Sequence, residues 1–392
     1  MSVKNVIIIN DFNYIQGGAS KVAIDTAKIL KNNGINVIFF SAVNKIEENI
    51  DQITYISTNQ QEALKEKNKL KGIINGIYNI KAKKKLSKIL SQLDANDTII
   101  HVHGWTKALS CSIFDEIFKR KFKMVLTLHD YFTACPNGGY YDYKKNEICK
   151  RKPLSLKCIK CNCDSRNYLF KLYRIIRQFV QNKIVKLNEN TKFVIGISDL
   201  SIEVLRPTLN NEVCLRKIYN PISFEEQEKV DWKKNNVYLY VGRISKEKGV
   251  DIFCKVITDL KLKGIAVGDG SEKERLEKDY PNIEFTGWKN SDEVKKYIRD
   301  SKCLIFPSLW YEGAPLTPLE SMSYGVPCLV NENCAGREYC KKNNYKDYND
   351  LKEKITKIDQ FKFTKTDLDV LNKFKIDKYS KDLIKFYNYI IK

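Results

Sequence analysis

The chain has 392 residues, 43% of them apolar and 29% charged, with only 9 Pro; this excludes a disordered protein and leaves room for two domains with separate cores. Its 68 basic and 47 acidic side chains give a net charge of +21, a field that favours nucleotides, nucleic acid or an acidic membrane surface without choosing among them. No apolar run approaches the roughly 20 residues needed to cross a bilayer, and the opening run Val6–Ile9 is too short for a signal peptide, so a reducing cytoplasm is expected and the 12 Cys are thiols or metal ligands.

Val6–Ile9 predicts a strand, Asn10–Gly18 a loop and about Ala19–Asn32 a helix ended by Gly34, with Val37–Phe40 the next strand. This βαβ opening carries Gly17 and Gly18 at the helix entrance, where bare amides can approach a ligand, although a plain turn reads the same way. Lys45–Asn96 is polar and lysine-rich, and Lys81–Lys88 (KAKKKLSK) is its densest basic cluster. Thr98–His103 and Met124–His129 read as buried strands, each ending in histidine. His101 and His103 are two apart and share a face of their strand. His129, followed by Asp130, stands at another carboxyl end, where open α/β sheets keep their ligands.

Cys135–Cys163 breaks the alternation. Five Cys fall at 135, 149, 158, 161 and 163, and the two-residue spacing of Cys158 and Cys161 lets one turn offer two thiolates to one metal. With Cys135 and Cys149 they can complete a four-thiolate zinc site, leaving Cys163 spare or alternate; unligated thiols in a loop are the other reading. Tyr168–Asn188 follows as a basic amphipathic helix, which packs its apolar stripe on the domain or lies on an anionic membrane. Phe193–Ile197 is a strand, Ser198-Asp199 a helix cap, and the first domain is expected to close near Leu205–Pro207.

After a charged stretch through Asn236, a second α/β series begins. Val237–Val241 runs into Gly242-Arg243-Ile244-Ser245-Lys246-Glu247-Lys248-Gly249, from which Arg243 and Lys248 can reach a diphosphate. Ile265–Val267 leads to Gly268-Asp269-Gly270, Ile283–Phe285 to Thr286-Gly287, and Leu304–Phe306 to Pro307. Beyond it, Pro315 and Pro318 suit the first turn of a helix that Gly325 and Pro327 stop. Glu312 and Glu320 thus bracket a helix N-terminus, where free amides favour phosphate. A nucleotide sugar supplies both diphosphate and hydroxyls, with Glu320 accepting from the ribose and Glu312 from the hexose. About Asp377–Ile391 forms a last helix. Strands alternating with helices define an α/β chain with parallel sheets.

The segments VGRISKEKGVD, VGDGSEKERLE, FTG and EGAPLTPLESMSYGVP, in this order and spacing, resemble the donor domain of the family 4 retaining glycosyltransferases, strongly over Gly242–Gly336. Weaker likenesses reach Gly17-Gly18, His129-Asp130, Ile197-Ser198 and Asn220-Pro221. The resemblance implies the GT-B architecture, two Rossmann-like domains with a cleft between them. It implies an acceptor-side domain over 1–207, a donor-binding domain over 208–375, and a C-terminal helix, 376–392, that crosses back to the first. It also implies transfer from a nucleoside-diphosphate sugar to a glycan or lipid-linked acceptor with no catalytic metal, for cell-surface polysaccharide synthesis in the cytoplasm or peripherally on the inner face of the membrane. Arg243 and Lys248 would stabilise the leaving diphosphate, Glu312 would stand near the reacting carbon, and Glu320 would hold the ribose. His129 would line the acceptor side, and Gly17, Gly18 and Gly242 would approach the donor. Where many members have Phe-Gly this chain has Ala314-Pro315, so amides of Ala314, Leu316 or Thr317 must serve the sugar. The Cys135–Cys161 spacing looks like a loop of some members that suggests a structural metal. The alternative reading is a basic nucleic-acid-binding protein with a zinc knuckle, although the lysines are spread along the chain and no aromatic RNA-binding strand is present.

Overall fold

A computed structural model describes residues 3–45, 52–222 and 229–392. Residues 46–51 of the lysine-rich stretch and 223–228 of the charged stretch before Asn236 lie outside the described residues. The chain divides into two compact units: one of 1–139, 150–221 and 376–392, the other of 140–149 and 222–375.

The first unit is built on a seven-stranded parallel sheet. Its strands are β1 (Asn5–Phe12), β2 (Asn36–Val43), β3 (Thr54–Ser57), β4 (Thr98–Val102), β5 (Lys123–Leu128), β6 (Phe193–Gly196) and β7 (Cys214–Lys217), in the order β3-β2-β1-β4-β5-β6-β7. Near-continuous apolar runs such as Ile7–Ile9 and Ile99–Val102 suit strands covered on both faces. Helix α1 (Gly18–Asn32) buries Ala23, Ala27 and Leu30 against one face. The seventh strand, β7, carries this unit past the expected boundary at Pro207 to Pro221. Its Cys-Leu-Arg-Lys sequence lacks an apolar run because it is an edge strand, half-buried to exposed, and so gave little strand signal.

Two short helices, α2 (Lys69–Ile77) and α3 (Ile80–Leu90), precede β4, and α4 (Tyr168–Phe179) follows the cysteine-rich loop. The expected long helix over 168–188 is shorter. A π-turn over Val180–Ile184 and left-handed Lys186 (φ 56°) break it.

The C-terminal helix, Ile376–Ile391, is an integral part of this first unit. Tyr379, Leu383, Phe386, Tyr387, Ile390 and Ile391 are buried in its main core, an i, i+3/i+4 stripe at roughly 1.5–3 kcal/mol per large apolar side chain.

The second unit repeats the architecture with six parallel strands. They are β8 (Val237–Val241), β9 (Lys263–Val267), β10 (Ile283–Gly287), β11 (Ser301–Phe306), β12 (Cys328–Asn331) and β13 (Asn344–Tyr345), in the order β10-β9-β8-β11-β12-β13. Each unit is Rossmann-like, with its first strand central and neighbouring strands added on both sides. The carboxyl ends of β8 and β11 therefore lie side by side, where this topology places ligands.

Candidate active site

In the second unit, β8 runs into Gly242 (φ 156°) and β9 into Gly268 (φ 141°), and the two loops are joined by backbone bonds from Gly242 N–H to the Val267 carbonyl and from Ile244 N–H to the Asp269 carbonyl. A Cβ on Gly268 would lie 1.9 Å from the Gly242 carbonyl oxygen, so neither loop can move outward with a side chain there. A short 3-10 turn, Lys246–Lys248, then leads through left-handed Gly249 (φ 68°) into α5 (Val250–Asp259). At Gly249 a Cβ would lie 2.0 Å from the Pro307 carbonyl oxygen, and Leu309 N–H donates to the Glu247 carbonyl (2.9 Å). These two contacts bind the β8 loop to the β11 loop and set Lys248 beside Ser308, Trp310 and Glu312.

The result is two cation–carboxylate pairs. Lys248 Nζ is 2.5 Å from Glu312 Oε2, which also accepts from Trp310 Nε1 (2.7 Å) and lies 3.4 Å from Ser308 Oγ. Lys248 also sits 5.1 Å from the centre of the Trp310 ring. Arg243 Nη2 is 2.5 Å from Glu247 Oε1, and Glu247, almost fully buried, takes a second bond from Ser245 Oγ (2.8 Å). The Arg243 guanidinium remains 57% exposed, so its other donors face outward. Glu247 stands in the quoted motif without an assigned role in the sequence reading, because its pairing depends on the 3-10 turn. The acid–base spacing Arg243-x-x-x-Glu247 was the signal available.

Glu312 is further fixed by its own backbone, whose carbonyl accepts from Ala335 N–H (2.8 Å). Helix α6 (Thr317–Ser323) begins after Leu316, which offers no side-chain cap, with Pro318 in the first turn and Glu320 on it. Its first-turn amides are those left to meet an anion. Gly325 (φ 76°) stops the helix. Pro315, which has no N–H, is buried, and its carbonyl accepts from Tyr339 OH (2.7 Å); Ala314, Leu316 and Thr317 are half-buried around it. Arg243, Lys248, Glu312, Gly242 and Ala314–Leu316 thus belong to the loops at the carboxyl ends of β8 and β11, and Thr317 and Glu320 to the first turn of the helix that follows the second of them.

In the first unit, Gly17 and Gly18 are exposed, and a Cβ on either would meet nothing within 4 Å, so they open α1 with bare amides rather than a crowded turn. The His101 and His103 rings lie 4.1 Å apart between centres, tilted by 39°. His103 Nδ1 is 2.9 Å from His129 Nε2, while buried His103 Nε2 has no partner among the described residues. His101 is clamped between Tyr387 OH and Thr127 Oγ1, each 2.6 Å away. Burial depresses all three imidazoles: His101 to about 3, with help from the His129 charge, His129 to about 4, and His103 well below the ordinary value. At neutral pH they are uncharged hydrogen-bonding groups. Next to them, burial pushes the Asp130 carboxyl up to about 6. Asp11, missed in the sequence, is fully buried and accepts from the amides of Lys107, Ala108 and Leu109 at 2.9 Å, which pins the loop after β4.

The cysteines are arranged differently from expectation. Among the described residues no group of three or more His, Cys, Asp or Glu is arranged to hold a metal ion. Cys149 belongs to the second unit, whereas Cys135, Cys158 and Cys161 belong to the first. The buried Lys171 ammonium lies 3.2 Å from Cys163 Sγ and 3.5 Å from Cys158 Sγ, and Cys135 Sγ donates to Asn137 Oδ1 (3.0 Å). Cys163, set aside as spare, is a central member of this cluster.

Residues 223–361 match the family described as Glycosyl transferases group 1. The chain has the fold of GT-B glycosyltransferases and is itself a glycosyltransferase. It superposes with a TM-score of 0.64 on lipopolysaccharide outer core galactosyltransferase WaaB, at 17% identity over 97% of this chain and 99% of that one. It is 23% identical over 347 residues, 83% of its length and 85% of the relative's, to an uncharacterised 42.6 kDa protein of the cps region in Klebsiella pneumoniae. A UDP-Gal:alpha-D-GlcNAc-diphosphoundecaprenol alpha-1,3-galactosyltransferase of Escherichia coli is 27% identical over 195 residues, 45% of this chain and 49% of that enzyme.

Proposed function

We propose that this glycosyltransferase moves a hexosyl group, with retention, from a nucleoside-diphosphate sugar to a glycan or lipid-linked acceptor in cell-surface polysaccharide synthesis, in the cytoplasm and peripherally on the inner face of the membrane. The observation that carries it is the pair of fixed cations, Arg243 held by Glu247 and Lys248 held by Glu312, at the carboxyl ends of two adjacent strands. As the glycosidic bond to the diphosphate breaks, negative charge grows on the departing oxygen. Cations already held in place stabilise that charge without reorganising. Glu312, oriented by the bonds of Lys248 and Trp310 to its Oε2, serves as a fixed acceptor for a sugar hydroxyl rather than as a mobile base. Glu320 takes the ribose hydroxyls, amides of Ala314, Leu316 and Thr317 take the sugar, and Gly242, Gly17 and Gly18 leave room for the phosphates. Neutral His129, oriented by His103, takes a hydrogen bond on the acceptor side. No catalytic metal is required, because the two cations meet the diphosphate.

The E. coli relative, whose name pairs UDP-Gal with a diphosphoundecaprenol-linked acceptor, supports the donor and acceptor classes by analogy. The test is nucleotide release from a panel of nucleotide sugars, with and without lipid-diphosphate acceptors and with a chelator present. Acceptor-stimulated release of one nucleotide, and a product keeping the donor's anomeric configuration by NMR, are expected. An inverted product, or loss of activity on chelation, overturns the corresponding part of the reading.

A further inference from the structure

Helices α2 and α4, which pack on one another in the first unit, are turned inside out. On α2 the buried positions are Gly72 and Gly76. A Cβ at Gly76 would lie 1.9 Å from Tyr173 OH of α4, and one at Gly72 would lie 2.3 Å from the Ala63 carbonyl oxygen. The close approach uses the glycines and turns Leu70, Ile73 and Ile74 outward, 68%, 46% and 53% exposed.

On α4 the buried face carries Lys171, Arg177 and Gln178. They are satisfied there: Arg177 donates to the carbonyls of Thr106 and Pro136 (3.3 and 3.2 Å), Gln178 to that of Thr133 (3.1 Å), and Lys171 to two thiols. The apolar stripe therefore points to solvent. Leu169 and Ile176, flanking Tyr173 along the line of the α2 contact, are 75% and 51% exposed, and Phe179 is 51% exposed. Exposed large apolar side chains gathered on two touching helices mark a contact surface rather than ordinary scatter.

The charge around this surface selects its occupant. Lys67 and Lys69, before and on α2, and Lys183, after α4, are exposed, as are Lys81, Lys84 and Lys88 on α3, the helix that follows α2 in the chain. The neighbouring Glu62 and Glu66 are already paired with Lys65 and Lys71. A second copy of the chain would set one lysine ring against another, and a nucleic acid would have no use for protruding Leu and Ile. We propose that this two-helix face docks on an anionic lipid bilayer, with Leu70, Ile73, Ile74, Leu169, Ile176 and Phe179 entering the boundary between headgroups and acyl chains and the lysines meeting lipid phosphates. The assignment rests on the transferase reading only in naming the inner leaflet as the membrane met.

The test uses the full chain without donor or acceptor, so a failed transfer assay and a failed membrane assay are separable. Co-sedimentation is measured with phosphatidylglycerol–phosphatidylcholine vesicles and with phosphatidylcholine alone, at low and high salt. Binding only to the anionic vesicles is expected, with release by salt. Lys69→Glu/Lys84→Glu/Lys88→Glu and Leu70→Ser/Ile74→Ser/Leu169→Ser/Ile176→Ser should each lose at least about tenfold in vesicle affinity, since each lysine near an anionic surface adds on the order of a fivefold factor. Both variants change exposed side chains, and circular dichroism checks that they fold. Absence of binding by the parent chain, equal binding to neutral vesicles, unchanged binding by the serine variant, or a dimer in sedimentation that the serine variant dissolves would each overturn the proposal.

Discussion

Arg243 and Lys248 each meet the substrate's diphosphate in the proposed reaction, and each is held by one carboxylate. Arg243→Ala or Lys248→Ala should lower kcat by about two to three powers of ten, the usual cost of removing one preorganised transition-state charge. The fold should survive, since Arg243 is largely exposed and Lys248 lies at a loop. Glu247 touches no substrate; it positions Arg243. Glu247→Gln keeps the shape and weakens the ion pair, so kcat should fall by up to about a hundredfold with little change in KM, as a displaced catalytic group does. Steady-state kinetics on all three variants check this, and Glu247→Gln with parent kcat removes Glu247 from the site. Arg243, Lys248, Glu312 and Glu320 were legible because a short apolar run followed by glycine or proline marks a strand's carboxyl end, and residues just beyond it share one site. Glu247, Asp11 and the His103–His129 contact were not, because each acts through a partner that only the folded backbone brings near.

The sheets were read from apolar runs and the C-terminal helix from its stripe, since a stripe with one apolar side has one way to be buried. For α4 that logic inverted: the amphipathic pattern was visible, but its basic face found carbonyl and thiol partners inside. The buried face cannot be chosen from periodicity when the polar side chains are long enough to reach acceptors. The same reach redirects attention within Lys81–Lys88: Lys83 pairs with Asp115, Lys85 donates to the Ser57 carbonyl (2.5 Å), and Lys81, Lys84 and Lys88 are left outward. The C-terminal helix is where element-level stability is testable. Leu383 is fully buried, so Leu383→Ala should cost about 2–5 kcal/mol. Tyr387→Phe removes the partner of buried His101 Nδ1 and should cost about 1–3 kcal/mol. Urea unfolding followed in the first unit measures both, and unchanged midpoints would show that the helix is dispensable to that core.

At the scale of the whole molecule, acid should be a specific threat, because a chain of +21 holds its three histidines uncharged in one place, His101 and His103 buried and His129 half-buried. A histidine whose folded pKa is depressed binds fewer protons folded than unfolded between the two values, so its stabilising contribution is complete above the unfolded value, near 6.5, and is lost as pH falls. His101 at about 3 and His129 at about 4 place this loss between roughly pH 6.5 and 4, and His103 adds to it. Asp130, raised to about 6, and Asp11, also raised by burial, act oppositely: each holds a proton more readily in the fold and is relieved by acid. Three protons favouring the unfolded chain stand against at most two favouring the fold. Stability should therefore fall as the pH drops from about 6 to 4, on the order of 1.4 kcal/mol per pH unit for each net proton. Hydrogen exchange of β1 and β4 amides at pH 7 and at pH 5, corrected for intrinsic rates, reads this directly. His101→Gln keeps a neutral side chain between Tyr387 and Thr127 and removes one titrating group, so the difference between the two pH values should shrink by about one proton's worth. Equal protection of the parent chain at both pH values, or an unchanged difference in His101→Gln, would mean that the buried imidazoles do not govern how the first unit meets acid.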